Sequence, residues 1–333
     1  MPYTLRRLTP RLIAIATGLA VVAGTGYAVA NADTGPSKQV AAPSVDTRTT
    51  LPKPAAAGPG DAPIGGEVPG RTGSAIRATA GAQAAHRARS LARAGKSAPD
   101  ADASASAAAA AQEHPAAGTY FTKLATSTGI RATHSVFYGS GDTTRTGDVV
   151  YAPTLMPPSS ACIEITTAYT WDAPVVWAWD WCSSNSGVAK EIPINATFVR
   201  TYTTQVNGLP AYSVIIQKTN TANNTWTAYL YNYARGAWDT FWTKSGTSQI
   251  GVRGWDVFEP YLTRNPSTGL GYYCATMKGR AFETTGIQVR VNGVYTNASS
   301  TVGASYYPTM DLGCGSRLKW TQTNLTSWRA TIS

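Results

Sequence analysis

Aromatic residues divide this chain in two. From Asp33 to Ala116 there is no Phe, Tyr or Trp, whereas from about Gly118 onward they recur throughout. A stretch with no aromatic side chain, dominated by Ala, Pro and Gly, cannot bury enough apolar surface to offset the entropy of ordering it. The part that follows alternates. Val175, Trp177, Trp179 and Trp181 share one face of a period-two pattern, with Val176, Ala178, Asp180 and Cys182 on the other, and that period marks a strand. Trp226, Ala228 and Leu230 alternate with Thr227, Tyr229 and Tyr231, while Tyr212 to Ile216 reads as a more fully buried strand. Asn207-Gly208 and Asn292-Gly293 are two-residue hairpin signals, because both central residues tolerate positive φ. Roughly ten or more short strands are expected, and they point to an all-β fold, an antiparallel β-sandwich or jelly roll over residues 117–333.

The amino-terminal part reads as processing and spacing sequence. Arg6, Arg7 and Arg11 precede an apolar run, Leu12 to Ala30, that ends in Ala30-Asn31-Ala32. This is the layout of a cleavable signal peptide over 1–32, and it predicts a secreted or cell-wall-associated protein, free of the membrane once cleaved. Residues 33–116 read as a disordered Ala/Pro-rich linker or a propeptide. Within it Ala82 to Ala94 has helix propensity, with an apolar face that is nearly all alanine. An oxidising compartment and an even count of four cysteines predict two disulfides. The sequential pairing, Cys162–Cys182 and Cys274–Cys314, closes two local loops.

Charge and composition remove several function classes. The formal net charge of +10 includes three arginines of the signal peptide, and the rest is spread thinly with no run of Lys or Arg. Nucleic-acid binding needs a clustered basic stripe, so the expected partner is an extracellular protein or polysaccharide, met by a monomer. The cysteine spacing lacks the close pairs of a zinc site, and no phosphate-cradling glycine loop precedes a helix. Neither metal nor cofactor is expected. After residue 116 the only histidine is His134, which reads as a core or surface residue rather than the centre of a Ser-His-Asp machine.

Carboxylates remain. Glu164 lies in Cys162-Ile163-Glu164-Ile165, and Glu259 ends a strand in which Trp255, Val257 and Glu259 share one face. Two carboxyls deprived of solvent beside aromatic rings can divide the work of base toward water and acid toward a leaving group. The run Thr225 to Tyr233, then Gly236, then Gly254-Trp255-Asp256-Val257-Phe258-Glu259, resembles the secreted glutamic peptidases. Phe137-Tyr138-Gly139 and Ile163-Glu164 are similar to the neprosin branch of that group. The resemblance implies a β-sandwich hydrolase with Glu164 as the acid partner and Glu259 as the base. Gln217 is the alternative partner for a Gln–Glu pair.

A second function class rests on the aromatics. Trp177, Trp179 and Trp181 on one face, with Tyr229 and Tyr231 on another, offer flat rings for stacking on sugars. They define a non-catalytic carbohydrate- or cell-wall-binding module as the alternative, although alternating Trp on one face is most often core packing.

Overall fold

The computed structural model describes residues 63–76, 78, 80–94, 96, 113–122, 124, 126–138, 148–307 and 311–333. The expected signal peptide and most of the expected linker lie outside these residues. Two stacked sheets make an all-β fold. The first has eight strands in the order β16 (Ala304–Tyr306), β3 (Ala117–Phe121), β13 (Gly254–Tyr261), β5 (Val149–Met156), β6 (Ile163–Tyr169), β7 (Pro174–Asp180), β8 (Gly187–Pro193), β2 (Arg71–Thr72). The second runs β1 (Ile64–Glu67), β12 (Ala237–Lys244), β11 (Thr225–Asn232), β10 (Leu209–Asn220), β4 (Ser127–Ser135), β14 (Ala281–Val291), β18 (Ser327–Ile332), β17 (Leu318–Asn324). Two short strands extend it, β9 (Thr203–Val206) on β10 and β15 (Val294–Asn297) on β14. Among the described residues only β1 runs parallel to its neighbour.

Turn chemistry behaves as the sequence predicts. Asn207 and Gly208 join β9 to β10 with φ of 49° and 79°, and Asn292 and Gly293 join β14 to β15 with φ of 50° and 82°. Both disulfides form in the sequential pairing, Cys162 with Cys182 and Cys274 with Cys314. No helix of the described residues is long and apolar enough to cross a membrane.

One part of the linker expectation is corrected. Residues 64–93 contribute β1 to the edge of the second sheet and β2 to the edge of the first, then form helix α1 (Ala80–Arg93). The helix packs through His86, Ser90 and Arg93, all buried together with Ala85 and Leu91. Composition alone misses this because the docking face is polar, and its partners lie far along the chain.

Strands β5, β6, β7 and β13 are buried at every residue. Strands open to water on one side alternate apolar with polar, so burial at each position means that both faces are covered. The inner face meets the second sheet through a polar link. The Nε2 atom of His134 lies 2.9 Å from Asp256 Oδ2, and Trp328 Nε1 donates to Asp256 Oδ1 at 2.8 Å. The Tyr212 hydroxyl stands 3.2 Å from His134 Nδ1 and 2.8 Å from Thr167 Oγ1. His134 is therefore a satisfied core residue that ties the two sheets together.

This link makes a prediction. Asp256→Ala removes the partner of His134 Nε2 and leaves the Trp328 indole only the longer bond to the residue-256 carbonyl, at 3.2 Å. It is expected to cost about 3–5 kcal/mol, read as a lower midpoint in urea unfolding. A loss under about 1 kcal/mol would show that the link contributes no more than an ordinary hydrogen bond.

Candidate functional site

The outer face of the first sheet carries both sequence-predicted glutamates. Glu164 stands directly across from Trp179 in the β6–β7 ladder, and Glu259 across from Tyr151 in the β13–β5 ladder. Strand β5 separates the two. Its register shifts between Tyr151 and Thr154, and a bulge of this kind re-aims side chains. It sets Tyr151 beside Glu259 while Thr154 reaches Glu164. Glu164 and Glu259 are both completely buried.

Glu164 is the more densely hydrogen-bonded carboxylate. Its Oε1 accepts from the Thr154 hydroxyl at 2.5 Å and from Trp255 Nε1 at 2.8 Å. Its Oε2 accepts from Trp181 Nε1 at 2.9 Å and pairs with His86 Nε2 at 3.0 Å. Burial by itself would raise the pKa of this carboxyl. The charge and hydrogen bond of His86, then the hydrogen bonds from Thr154 and Trp255, outweigh burial and hold it below the usual carboxylate range.

Glu259 takes its countercharge from the same helix. The Arg93 guanidinium contacts Glu259 Oε2 at 2.5 Å. Burial disfavours the charge on Arg93, yet the Glu259 carboxylate more than compensates and raises the arginine's pKa. The Arg93 side chain also lies over the Trp255 ring, 4.6 Å from its centroid. His86 and Arg93 are seven residues apart, two turns of helix, so both project from one side of α1.

The two halves join through Tyr261. Its hydroxyl lies 3.2 Å from His86 Nδ1 and donates to Glu259 Oε1 at 3.4 Å. Carboxylates only accept, so both ring nitrogens of His86 are placed to donate. An unbroken polar chain thus runs from Glu164 through His86 and Tyr261 to Glu259 and ends on Arg93. The imidazole sits among rings, its centroid 4.3 Å from that of Trp179 and 4.8 Å from that of Tyr151.

Other candidates fall elsewhere. Gln217 belongs to β10 of the second sheet, where its Oε1 accepts from the Tyr295 hydroxyl at 3.3 Å, and it is not brought to the glutamates. Trp177, Trp179 and Trp181 offer no exposed strip. All three are buried, with Trp177 donating to Glu191 at 2.7 Å and Trp181 to Glu164. Tyr229 and Tyr231 are buried in a small cluster with Ile215 and Trp238. Trp179 and Trp181 lack exposure because His86 of α1 packs against them, its ring centroid 4.3 and 6.0 Å from theirs. Among the described residues no cluster of His, Cys, Asp and Glu is suited to a metal ion.

Sequence reasoning does not reach His86, Arg93, Tyr151, Thr154 or Tyr261. The available signal is the spacing of His86, Ser90 and Arg93, which share one helical face.

No family model matches the sequence, and no curated protein does. Solved structures give a weak resemblance to glutamic peptidases. One is SCP-B, a member of the eqolisin family of peptidases, in a complex with the tripeptide Ala-Ile-His, at 11% identity and a TM-score of 0.40. Two are scytalido-glutamic peptidase, one with a peptide-based transition state analog and one with a transition state analog inhibitor, each at 12% identity and a TM-score of 0.40. Every one of these matches covers 67% of this chain and 100% of the other.

Proposed function

We propose that this chain is a secreted peptidase of the glutamic type, held in a covered form by α1. The observation that carries the reading is the placement of Glu164 and Glu259 on one sheet face, linked through a single polar chain to His86 and Arg93. Two carboxyls on one face suit hydrolysis when one is ionised and the other holds a proton.

The hydrogen bonds favour roles opposite to those implied by the family resemblance. Glu164 keeps three donors, from Thr154, Trp181 and Trp255, even without α1. Such a carboxyl stays ionised and serves as the base toward water. Glu259 loses its cation when Arg93 leaves, and it is the carboxyl assigned the proton. The glycan-binding alternative gains no support, since every ring it needs is buried.

With α1 in place neither carboxyl meets solvent, so hydrolysis requires the helix to move away. The pH dependence of that step follows from Glu164. Its pKa lies below the ordinary value of about 4.3. The Glu164 contribution to its pair with His86 is therefore fully present above that value and is lost as the pH falls through the lowered one. The groups facing Glu164 are His86 from α1, Thr154 from β5, Trp255 from β13, and Trp181. In the full chain, the protection factor of the α1 amides, which is the intrinsic exchange rate at each pH divided by the observed one, is expected to hold down to about pH 5 and to fall in stronger acid. A protection factor that does not fall below about pH 4 would contradict this linkage.

Activity tests the function itself. The full chain carrying His86→Ala and Arg93→Ala is expected to cleave an acid-unfolded protein between about pH 3 and 6, where one of two coupled carboxyls is protonated. Adding Glu164→Gln or Glu259→Gln should each reduce the rate by about 10²–10⁴-fold. No cleavage by the folded double variant at any pH, or rates indifferent to both glutamine substitutions, would overturn the peptidase reading.

A further inference from the structure

We infer that the hydroxyl of Tyr151 is an oxyanion donor of this site, an assignment that rests on the peptidase reading above. Tyr151 is completely buried and its hydroxyl meets no hydrogen-bond partner. A buried hydroxyl left unmatched costs about 1–3 kcal/mol, and such groups are rare enough in native proteins that each calls for an explanation. Tyr151 stands directly across from Glu259 in the β13–β5 ladder. Directly opposed side chains lie about 4.5–5.5 Å apart at Cβ, so the phenol and the carboxyl emerge side by side. The bulge in β5 lets Tyr151 and Thr154 serve this one face. Thr154 completes Glu164, which leaves the Tyr151 hydroxyl as the uncommitted donor on that strand.

The surrounding charges fix its chemical character. Burial, then the Glu259 and Glu164 carboxylates, raise the phenol's pKa well above its ordinary value. It therefore keeps its proton across the acidic working range and acts only as a donor. Among the described residues, the Trp179 indole is also an unmatched donor on this sheet face. It stands across from Glu164, where Thr154, Trp181 and Trp255 already donate. Negative charge would develop on the opposite side, near the proton-bearing Glu259, and Tyr151 belongs to that side.

The step balances as follows. The water oxygen bonds to the scissile carbonyl carbon while one water proton passes to the Glu164 carboxylate. The π pair of the carbonyl moves to its oxygen, which accepts hydrogen bonds from the Tyr151 hydroxyl and the protonated Glu259. When the C–N bond breaks, its electron pair goes to nitrogen, which takes the proton from Glu164. The oxygen's extra pair re-forms the carbonyl. An acid and an amine leave, and Glu164, Glu259 and Tyr151 all regain their starting states. Preorganised donors at such an oxygen are commonly the largest single contribution to a rate enhancement.

The test is Tyr151→Phe in the full chain carrying His86→Ala and Arg93→Ala, assayed on a quenched fluorescent peptide that the parent cleaves. The expected result is a kcat lower by about 10²–10³-fold, with KM and the acid limb of the pH profile little changed. Because the lost hydroxyl is unmatched, the Tm should hold or rise. A kcat within about threefold of the parent's, with the Tm held, overturns the assignment, since a lost oxyanion donor costs far more. Where the phenylalanine variant loses stability, difluorotyrosine at position 151 decides, because it keeps the hydroxyl and alters its acidity. A rate that follows the phenol's acidity upholds the role, and an indifferent rate overturns it. No hydrolysis by the parent defeats the peptidase reading, whereas hydrolysis blind to position 151 defeats this inference alone.

Discussion

Two carboxylates buried on one sheet face need positive partners, and the architecture around them follows from that need. An isolated carboxylate in an apolar interior costs several kcal/mol even after relaxation. On that face of the first sheet Glu191 is paired with Arg71 and the Trp177 indole, which leaves Glu164 and Glu259, flanked by Trp179, Trp181 and Trp255, for the helix. Helix α1 supplies an imidazole to one and a guanidinium to the other. With the helix over that face, strands β5, β6, β7 and β13 are buried at every residue. The polar docking face of α1 has no other evident reason to be buried.

The described residues include two buried histidine–carboxylate pairs with similar distances and different consequences. His134 and Asp256 lie between the sheets, 2.9 Å apart, with Trp328 and Tyr212 completing their bonds. Both members sit on strands, so separating them means unfolding the sandwich. His86 and Glu164 lie 3.0 Å apart across a helix–sheet contact. That contact can open while each sheet keeps its ladder, so only this pair is suited to exposing a functional group.

Much of the scaffold was legible in the residues. Period-two alternation gave the strands, Asn-Gly pairs marked two hairpins, and loop length suggested the disulfide pairing. Glu164 and Glu259 emerged by elimination, and the structure sets them on one face. The rest was hidden for identifiable reasons. Nothing local states that β10 belongs to the opposite sheet, so residue pattern alone leaves Gln217 a candidate beside the glutamates. Ring spacing on β7 shows which tryptophans share a face, and it is silent on what covers them. The α1 segment looked too poor in apolar side chains to dock, and it docks by charge on groups some eighty residues further along, as His86 and Glu164 illustrate. The role of Tyr151 depends on a register shift in β5 that no residue pattern announces.

The segment that carries α1 is also stitched into the sheets. Ahead of the helix, β1 lies along β12 and β2 along β8, each as the outermost strand of its sheet. After it the chain enters β3, which pairs with β13. The helix is thus a ligand tethered at both ends, and its rebinding is intramolecular, governed by a high effective concentration rather than by intrinsic affinity. A single backbone cut between α1 and β3 leaves that tether intact on its amino-terminal side. Stripping the whole segment away would bare the edges of β12 and β8, and unpaired sheet edges recruit strands from other molecules. The covering segment thereby doubles as a guard against self-association, a protection that lasts only while β1 and β2 stay in place.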